Sequence, residues 1–301
     1  MTPHFQRVAI VGAGLIGGSV ALELRAAHMV DHLVGFDPHA ANASQAVELG
    51  ILDEAAGSLA SAVRDADLVL LATPPAHVVS TALAAAAHAK DGAILTDVAS
   101  IKRAIVEPLA DTLPPHVRFV GGHPIAGTEK SGAVAAMREL FRGRRCILTP
   151  THNTDAQALI AVRAMWSRFG AQVLLMTPAL HDSACAQVSH LPHVIAYALT
   201  GAIGDAAERL PAIYGLGAGG FVDTTRIASS SPEMWRDVFL MNRDAVLDAV
   251  EHFTTRLQSL VALVEAGDAR GLEALFAEVR EVRARVLRGG GGAGDQRGGT
   301  Q

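Results

Sequence analysis

Along the first 175 or so residues, short apolar runs alternate with stretches whose apolar positions recur at helical spacing. The runs at 7–11, 32–37, 68–72, 93–97, 117–121, 145–149 and 172–176 predict strands. The stretches at 15–27, 76–89 and 156–169 predict helices between them. Strands alternating with helices make βαβ units and a mostly parallel sheet. After Thr177 and Pro178 the strand pattern stops, and long helical patterns follow at 179–204, 233–266 and 268–287, broken by a glycine-rich segment at 215–220. The reading is an α/β domain over 1–177, an all-α domain over 178–288, and a low-complexity tail over 289–301 that has nothing to bury and should be disordered.

Composition narrows this picture without changing it. Half of the residues are hydrophobic, enough for a sizeable core, while aromatics make up 4% and alanine is abundant, which suits helix packing better than a β-sandwich. A net charge of −5 with no basic stripe argues against nucleic acid as a main partner. The two cysteines, Cys146 and Cys185, lack metal-ligand spacing and fit reduced thiols in a reducing compartment. The start carries no signal-peptide pattern, and no apolar run approaches the ~18 residues that span a bilayer, so a cytoplasmic protein is expected.

The first candidate chemistry is Gly12-Ala13-Gly14-Leu15-Ile16-Gly17, which follows an apolar strand and opens a helix. In such a motif Gly12 permits the tight turn, Gly14 lets a pyrophosphate reach the backbone, and Gly17 lets the helix pack on the strand. The helix N-terminus at Leu15 and Ile16 then offers free N–H groups to phosphate. Asp37 ends the second predicted strand, 20 positions beyond Gly17, where a carboxylate binds ribose hydroxyls and repels a 2′-phosphate. The pair of features predicts a Rossmann domain that binds NAD rather than NADP. Thr73 and Pro74 lie after a further strand, either at the ligand edge of the sheet or in a plain strand-to-helix turn.

Four further segments look like a site assembled between domains: Asp97-Val98-Ala99-Ser100-Ile101-Lys102, Gly121-Gly122-His123-Pro124 running on to Glu129, His181-Asp182 with Ser189 to His193, and Gly219 to Ala228. These residues, in this order and over roughly 8–287, resemble the prephenate/arogenate (cyclohexadienyl) dehydrogenase family of tyrosine biosynthesis. The resemblance rests on GGHPIAGTEKSG, HDSACAQVSHLPH and GGFVDTTRIASSSPEMWRD. It implies a homodimer that oxidatively decarboxylates prephenate to 4-hydroxyphenylpyruvate with NAD+, with arogenate as a further candidate substrate and tyrosine as a candidate feedback ligand. Neither the chorismate mutase segment nor the ACT domain that some members carry is expected here.

The resemblance also implies roles. His123 matches the catalytic histidine, and a histidine suits a base that takes a hydroxyl proton near neutral pH. Ser100 matches a residue that hydrogen-bonds near the same hydroxyl and the nicotinamide. Arg226 matches the arginine that grips a substrate carboxylate through two parallel bonds, and His193 matches a histidine that helps position substrate. Glu129, His181, Asp223 and Trp235 fall where relatives line or gate the pocket, and all four are read as supporting the direct substrate contacts from behind.

Plainer readings stand beside these. His4, His28, His39, His77, His88, His116, His152 and His252 read as ordinary solvated or core residues, and His190 as packed within its helix. A zinc site from His123, His181, His190 and His193 lacks a cysteine cluster or HExxH pattern, and no metal is expected. Asp223 and Arg226 could form a structural ion pair. Cys146 and Cys185 read as core and structural. A β-hydroxyacid dehydrogenase would carry a lysine on the first long helix of its second domain, and residues 179–204 contain none. A non-catalytic NAD-binding sensor would not need Ser100, His123 and Arg226 together.

Overall fold

The computed structural model describes residues 3–127 and 130–288. Its first sheet is built from β1 (Phe5–Val11), β2 (Val30–Phe36), β3 (Glu54–Ala55), β4 (Leu68–Leu71), β5 (Ile94–Asp97) and β6 (Arg118–Val120). All neighbours are parallel, in the order β3-β2-β1-β4-β5-β6. This is the Rossmann order, with its topological switch between β1 and β4.

Alternation along the strands sorts the core onto two faces. Val8, Ile10, Leu68 and Leu70 pack in one cluster with Val20, Ala21 and Leu24 of α1 (Leu15–Ala26) and Val162, Met165 and Trp166 of α6 (Ala156–Arg168). Ala9, Val11, Val69 and Leu71 point the other way, onto α3 (Leu59–Val63), α4 (Pro75–Ala86) and α5 (Arg103–Thr112). α2 (Ala40–Glu48) completes the first half's helices.

The expected single sheet divides in two. β7 (Gly122–Pro124), β8 (Arg145–Leu148) and β9 (Gln172–Leu175) form a second sheet, with β7 antiparallel to β8 and β8 parallel to β9. The chain crosses from β6 to β7 at Gly121, where a Cβ would sit 2.6 Å from Thr149 Oγ1 and 2.7 Å from Val106 Cγ2. Only glycine fits a crossing that tight. His123 consequently lies on a strand rather than in a loop.

In the second half, α7 (Pro178–Cys185) runs through a π-helical turn, Ala186–His190, into α8 (Leu191–Arg209). The expected unbroken helix is widened there; Pro192 has no N–H to return to residue 188, and a π-turn absorbs the mismatch. α9 (Gly219–Thr225) and α10 (Pro232–Met241) follow, and a break at Asn242 separates α10 from α11 (Arg243–Glu265), where one helix over 233–266 was expected. α12 (Ala269–Arg288) closes the described chain.

By packing, the chain forms two compact units, Met1–Val246 and Leu247–Gln301. The change from strands to helices near Pro178 is a change of composition and not a gap in packing, because Trp235 and Val238 of α10 are buried in the same cluster as the α4 and α5 side of the sheet. Within the second unit, the two helices turn at Gly267, whose φ of +62° lies in the left-handed region, and Arg256 pairs with Glu278 at 3.3 Å. Among the described residues no helix is long and apolar enough to cross a membrane. The tail over 289–301 and Glu129 lie outside the described residues.

Candidate functional site

At the dinucleotide end, Gly12 has φ +100°, and a Cβ there would lie 2.5 Å from Ala72 O. A Cβ on Gly17 would lie 2.1 Å from Gly12 O, so both glycines are demanded by the chain's own packing. Gly14 differs: nothing lies within 4 Å of where its Cβ would stand. That open side faces the start of α1, where Gly14 is the N-cap, no side chain caps the helix, and no acidic residue occupies the first turn. The helix therefore presents uncapped N–H groups to an anion. Gly18 serves another purpose, since a Cβ on it would meet Ala136 Cβ at 2.7 Å.

Asp37 follows β2. Its Oδ1 accepts from His39 N at 2.9 Å and Asn42 Nδ2 at 3.1 Å, and its Oδ2 accepts from Ala13 N at 3.3 Å. Oδ2 keeps a lone pair for a ribose hydroxyl. Beyond the end of β4, Thr73 Oγ1 is buried without a hydrogen-bond partner among the described residues, and Pro74 is the N-cap of α4. An orphaned hydroxyl beside Gly12, the uncapped helix start and the Asp37 carboxylate together fit a dinucleotide.

The region around His123 is held by buried charges. Lys102 and Asp97 are both fully buried and paired. Lys102 Nζ also donates to Gly122 O at 2.8 Å, and Asp97 Oδ1 accepts from Gly122 N at 3.1 Å. Both polar groups of the residue before His123 are thus tied to one ion pair. Burial lowers the Lys102 pKa, and the Asp97 carboxylate opposes that effect. Ser100 sits in the loop between these two residues, half-buried, with no side-chain hydrogen bond among the described residues.

His123 Nδ1 lies 2.8 Å from His181 Nε2. Burial pushes the His123 pKa well below 6.5, followed by the positive charges that His181, Lys102 and His190 carry or would carry. His181 is fully buried on α7, and its Nδ1 donates to Asp182 Oδ1 at 2.7 Å. It stands behind His123 and does not line an open pocket. Asp182 also accepts the backbone N–H groups of Lys102 and Arg103, at 2.7 and 2.8 Å, fastening α7 to the start of α5.

His193 packs flat against Trp235, with ring centroids 3.4 Å apart, and its Nδ1 donates to Ser189 O at 2.9 Å. Trp235 is itself buried, and its ring forms the surface on which His193 stacks. Burial lowers the His193 pKa, the hydrogen bond to the Ser189 carbonyl opposes that effect, and the charge of Arg226 adds to it. Arg226 and Asp223 are both exposed, and among the described residues neither takes part in an ion pair. The structural pairing considered for them is absent, which leaves the guanidinium available to an anionic ligand.

Sequence reasoning assigned no role to Lys102, Asp97, Asp182 or Asn242. The signal for the first two was a Lys and an Asp five positions apart at the end of an apolar strand; for Asp182, adjacency to His181. Nothing local could have found Asn242, which bonds Asp182 O at 3.0 Å and His190 Nδ1 at 3.1 Å from 52 or more residues away. Ligand atoms of His123, His181 and Cys185 lie within 4.8 Å of one another, but a cation there would have to displace the His123–His181 hydrogen bond.

The prephenate dehydrogenase nucleotide-binding domain model matches residues 20–175, and the prephenate dehydrogenase dimerization domain model matches residues 177–278. The chain belongs to the prephenate dehydrogenase family. It is 36% identical over 278 residues to a prephenate dehydrogenase of Bacillus subtilis, covering 92% of this chain and 75% of that one. To a cyclohexadienyl dehydrogenase of Zymomonas mobilis it is 37% identical over 282 residues, covering 93% and 95%. A solved prephenate dehydrogenase from A. aeolicus, in complex with hydroxyphenyl propionate and NAD+, superposes with a TM-score of 0.86 at 38% identity, covering 93% of this chain and 98% of that one. The chain is accordingly an oxidoreductase of this family with a nucleotide-binding Rossmann domain.

Proposed function

We propose that this enzyme oxidatively decarboxylates prephenate to 4-hydroxyphenylpyruvate with NAD+, and that arogenate, which differs only in its side-chain amine, is the alternative substrate. The observation that carries this reading is the setting of His123: a part-buried imidazole between a buried ion pair and a second histidine, on a strand leaving the carboxyl edge of the Rossmann sheet. Bound NAD+ supplies the acceptor for the hydride that leaves ring C4. His123 takes the proton of the 4-hydroxyl as the C4–H bond breaks, the ring carboxylate leaves as CO2, and the aromatised ring regains that proton as its phenol. Ser100 hydrogen-bonds at the same hydroxyl, Arg226 grips a carboxylate through two bonds, and His193 on its Trp235 platform orients the side chain. Asp223 and Glu129, by their resemblance to family positions that line or gate the pocket, are read as supporting the substrate contacts.

Gly12, Gly14, Leu15, Ile16 and Gly17 carry the pyrophosphate in this reading, Asp37 the adenosine ribose, and Thr73 and Pro74 the nicotinamide side. Residues 178–288 serve as the helical domain that completes the substrate site and the homodimer. Exposed Leu257, Val261, Phe276 and Val279 on α11 and α12 support that assembly, since they offer apolar surface for a second copy. Tyrosine, which shares the phenol and the side-chain carboxylate of the product and differs from it in carrying an amine in place of the keto group, is the expected feedback ligand.

The test is absorbance at 340 nm with NAD+ and prephenate or arogenate. His123→Asn should lower kcat by roughly 10²–10⁴ while substrate still binds. In the unmodified enzyme, kcat should fall on acidification with a midpoint below 6.5, because His123 must be neutral to accept a proton and its surroundings lower its pKa. A variant that keeps near-normal kcat and the same acidic limb would move the base elsewhere, with His193 next in line.

A further inference from the structure

The hydrogen bonds around His123 form a chain in which each proton position dictates the next. Asp182 Oδ1 is an acceptor and lies 2.7 Å from His181 Nδ1, so His181 carries its proton on Nδ1. A neutral His181 then has a bare lone pair on Nε2. That atom stands 2.8 Å from His123 Nδ1, a contact that needs exactly one proton between the two nitrogens, so His123 must donate from Nδ1. A neutral His123 is left with its lone pair on Nε2, the ring atom turned away from His181.

A second contact agrees. Cys185 Sγ lies 3.5 Å from the same His181 Nε2, and burial, with the nearby Asp182 charge, pushes its thiol up to about 12. A protonated thiol at that distance donates to an unprotonated nitrogen. With His181 Nε2 unprotonated, as the Asp182 contact requires, the thiol offers it a second, weaker donor beside His123 Nδ1.

We propose that Asp182 and His181 are positioning residues that lock His123 in its Nδ1–H tautomer, so that Nε2 is the atom that receives the substrate's hydroxyl proton. When His123 takes that proton, both its nitrogens carry hydrogen, and the Nδ1–H already points at an acceptor backed by a buried carboxylate. The imidazolium formed in the reaction is thereby held without reorganising its neighbours. Asp182 is itself fixed by the N–H groups of Lys102 and Arg103, so the relay rests on the start of α5 and not on a mobile side chain. The inference rests on the proposed reaction for its functional meaning, but the tautomer can be measured without any substrate.

The direct measurement is nitrogen-15 NMR of the histidine-labelled enzyme at neutral pH, with the His123 signals identified by their loss in His123→Asn. We expect a protonated Nδ1 and an unprotonated Nε2; a protonated Nε2 would overturn the proposal. Asp182 also anchors α5, so the perturbation belongs on His181. His181→Leu removes the acceptor and should lower kcat by about 10²–10⁴-fold, the scale for a catalytic histidine left in the wrong tautomer, with KM values for prephenate and NAD+ within about twofold. His181→Gln places an amide oxygen where Nε2 stood and should recover kcat to within about tenfold of the unmodified enzyme. A folded His181→Leu enzyme with unchanged kcat and an intact Nδ1–H signal would sink the assignment. If the unmodified enzyme turned over neither prephenate nor arogenate, the proposed reaction would fail, while the NMR result would still decide the tautomer.

Discussion

His190 gives the sharpest test of how the helical half is held. It is fully buried, and its Nδ1 accepts from Asn242 Nδ2 at 3.1 Å, while its Nε2 has no partner among the described residues. Protonating Nδ1 would set two donors face to face and place a charge where water cannot reach. Burial, reinforced by His181 and His193 and opposed by Asp182, lowers its pKa from 6.5 to about 4. Between those values the folded protein binds fewer protons than the unfolded chain, so stability is complete above pH 6.5 and is lost as the pH falls toward 4. The gap corresponds to about 3 kcal/mol, or roughly 6–12 °C of melting temperature for a unit of this size. His123, also lowered, loses stability in the same direction, so the share of His190 must be read as a difference. His190→Phe keeps the ring against Trp235, whose centroid is 5.9 Å away, and cannot titrate. It should cost about 1 kcal/mol at pH 7, for the bond lost to Asn242, and show a shallower fall in urea midpoint between pH 6.5 and 4.5. Equal slopes for the variant and the unmodified protein would refute the reasoning.

Other expectations follow from single contacts. Lys102→Met leaves the buried Asp97 carboxylate unpaired and Gly122 O without its donor, and should destabilise by about 3–5 kcal/mol in urea titration; a loss under 1 kcal/mol would mean Asp97 is neutral in the fold. Arg226→Lys keeps the charge but loses the two-bond grip, and should raise KM for prephenate by the equivalent of about 2–3 kcal/mol with KM for NAD+ unchanged. Equal loss for both ligands would make Arg226 a structural residue. Asp37→Ser should narrow the preference for NAD+ over NADP+ in kcat/KM, and equal use of both by the unmodified enzyme would remove Asp37 as the selector.

The Rossmann half was legible because its signals are local. Period-two alternation put Val8 and Ile10 on one face and Ala9 and Val11 on the other, and the glycines at 12, 14 and 17 specify a turn that any packing must respect. His123 could be named from its Gly-Gly-His-Pro setting, though its strand could not, since β7 is three residues long and exists only because β8 pairs with it. β3, two residues long, was hidden for the same reason. The break at Asn242 and the π-turn before Leu191 interrupt patterns whose apolar periodicity is continuous, and periodicity carries no record of them. The buried charges lay furthest from reach. Asp97 read as the end of a strand, Lys102 as a loop residue and Asp182 as a helix residue, and their burial is compensated only where the fold closes Lys102 onto Asp97 and sets the Asp182 carboxylate against the Lys102 backbone N–H, 80 positions distant. Sequence alone determined which residue types were present for the chemistry; tertiary structure decided which nitrogen of which histidine faces which acceptor, because a hydrogen bond depends on distances that no spacing along the chain encodes.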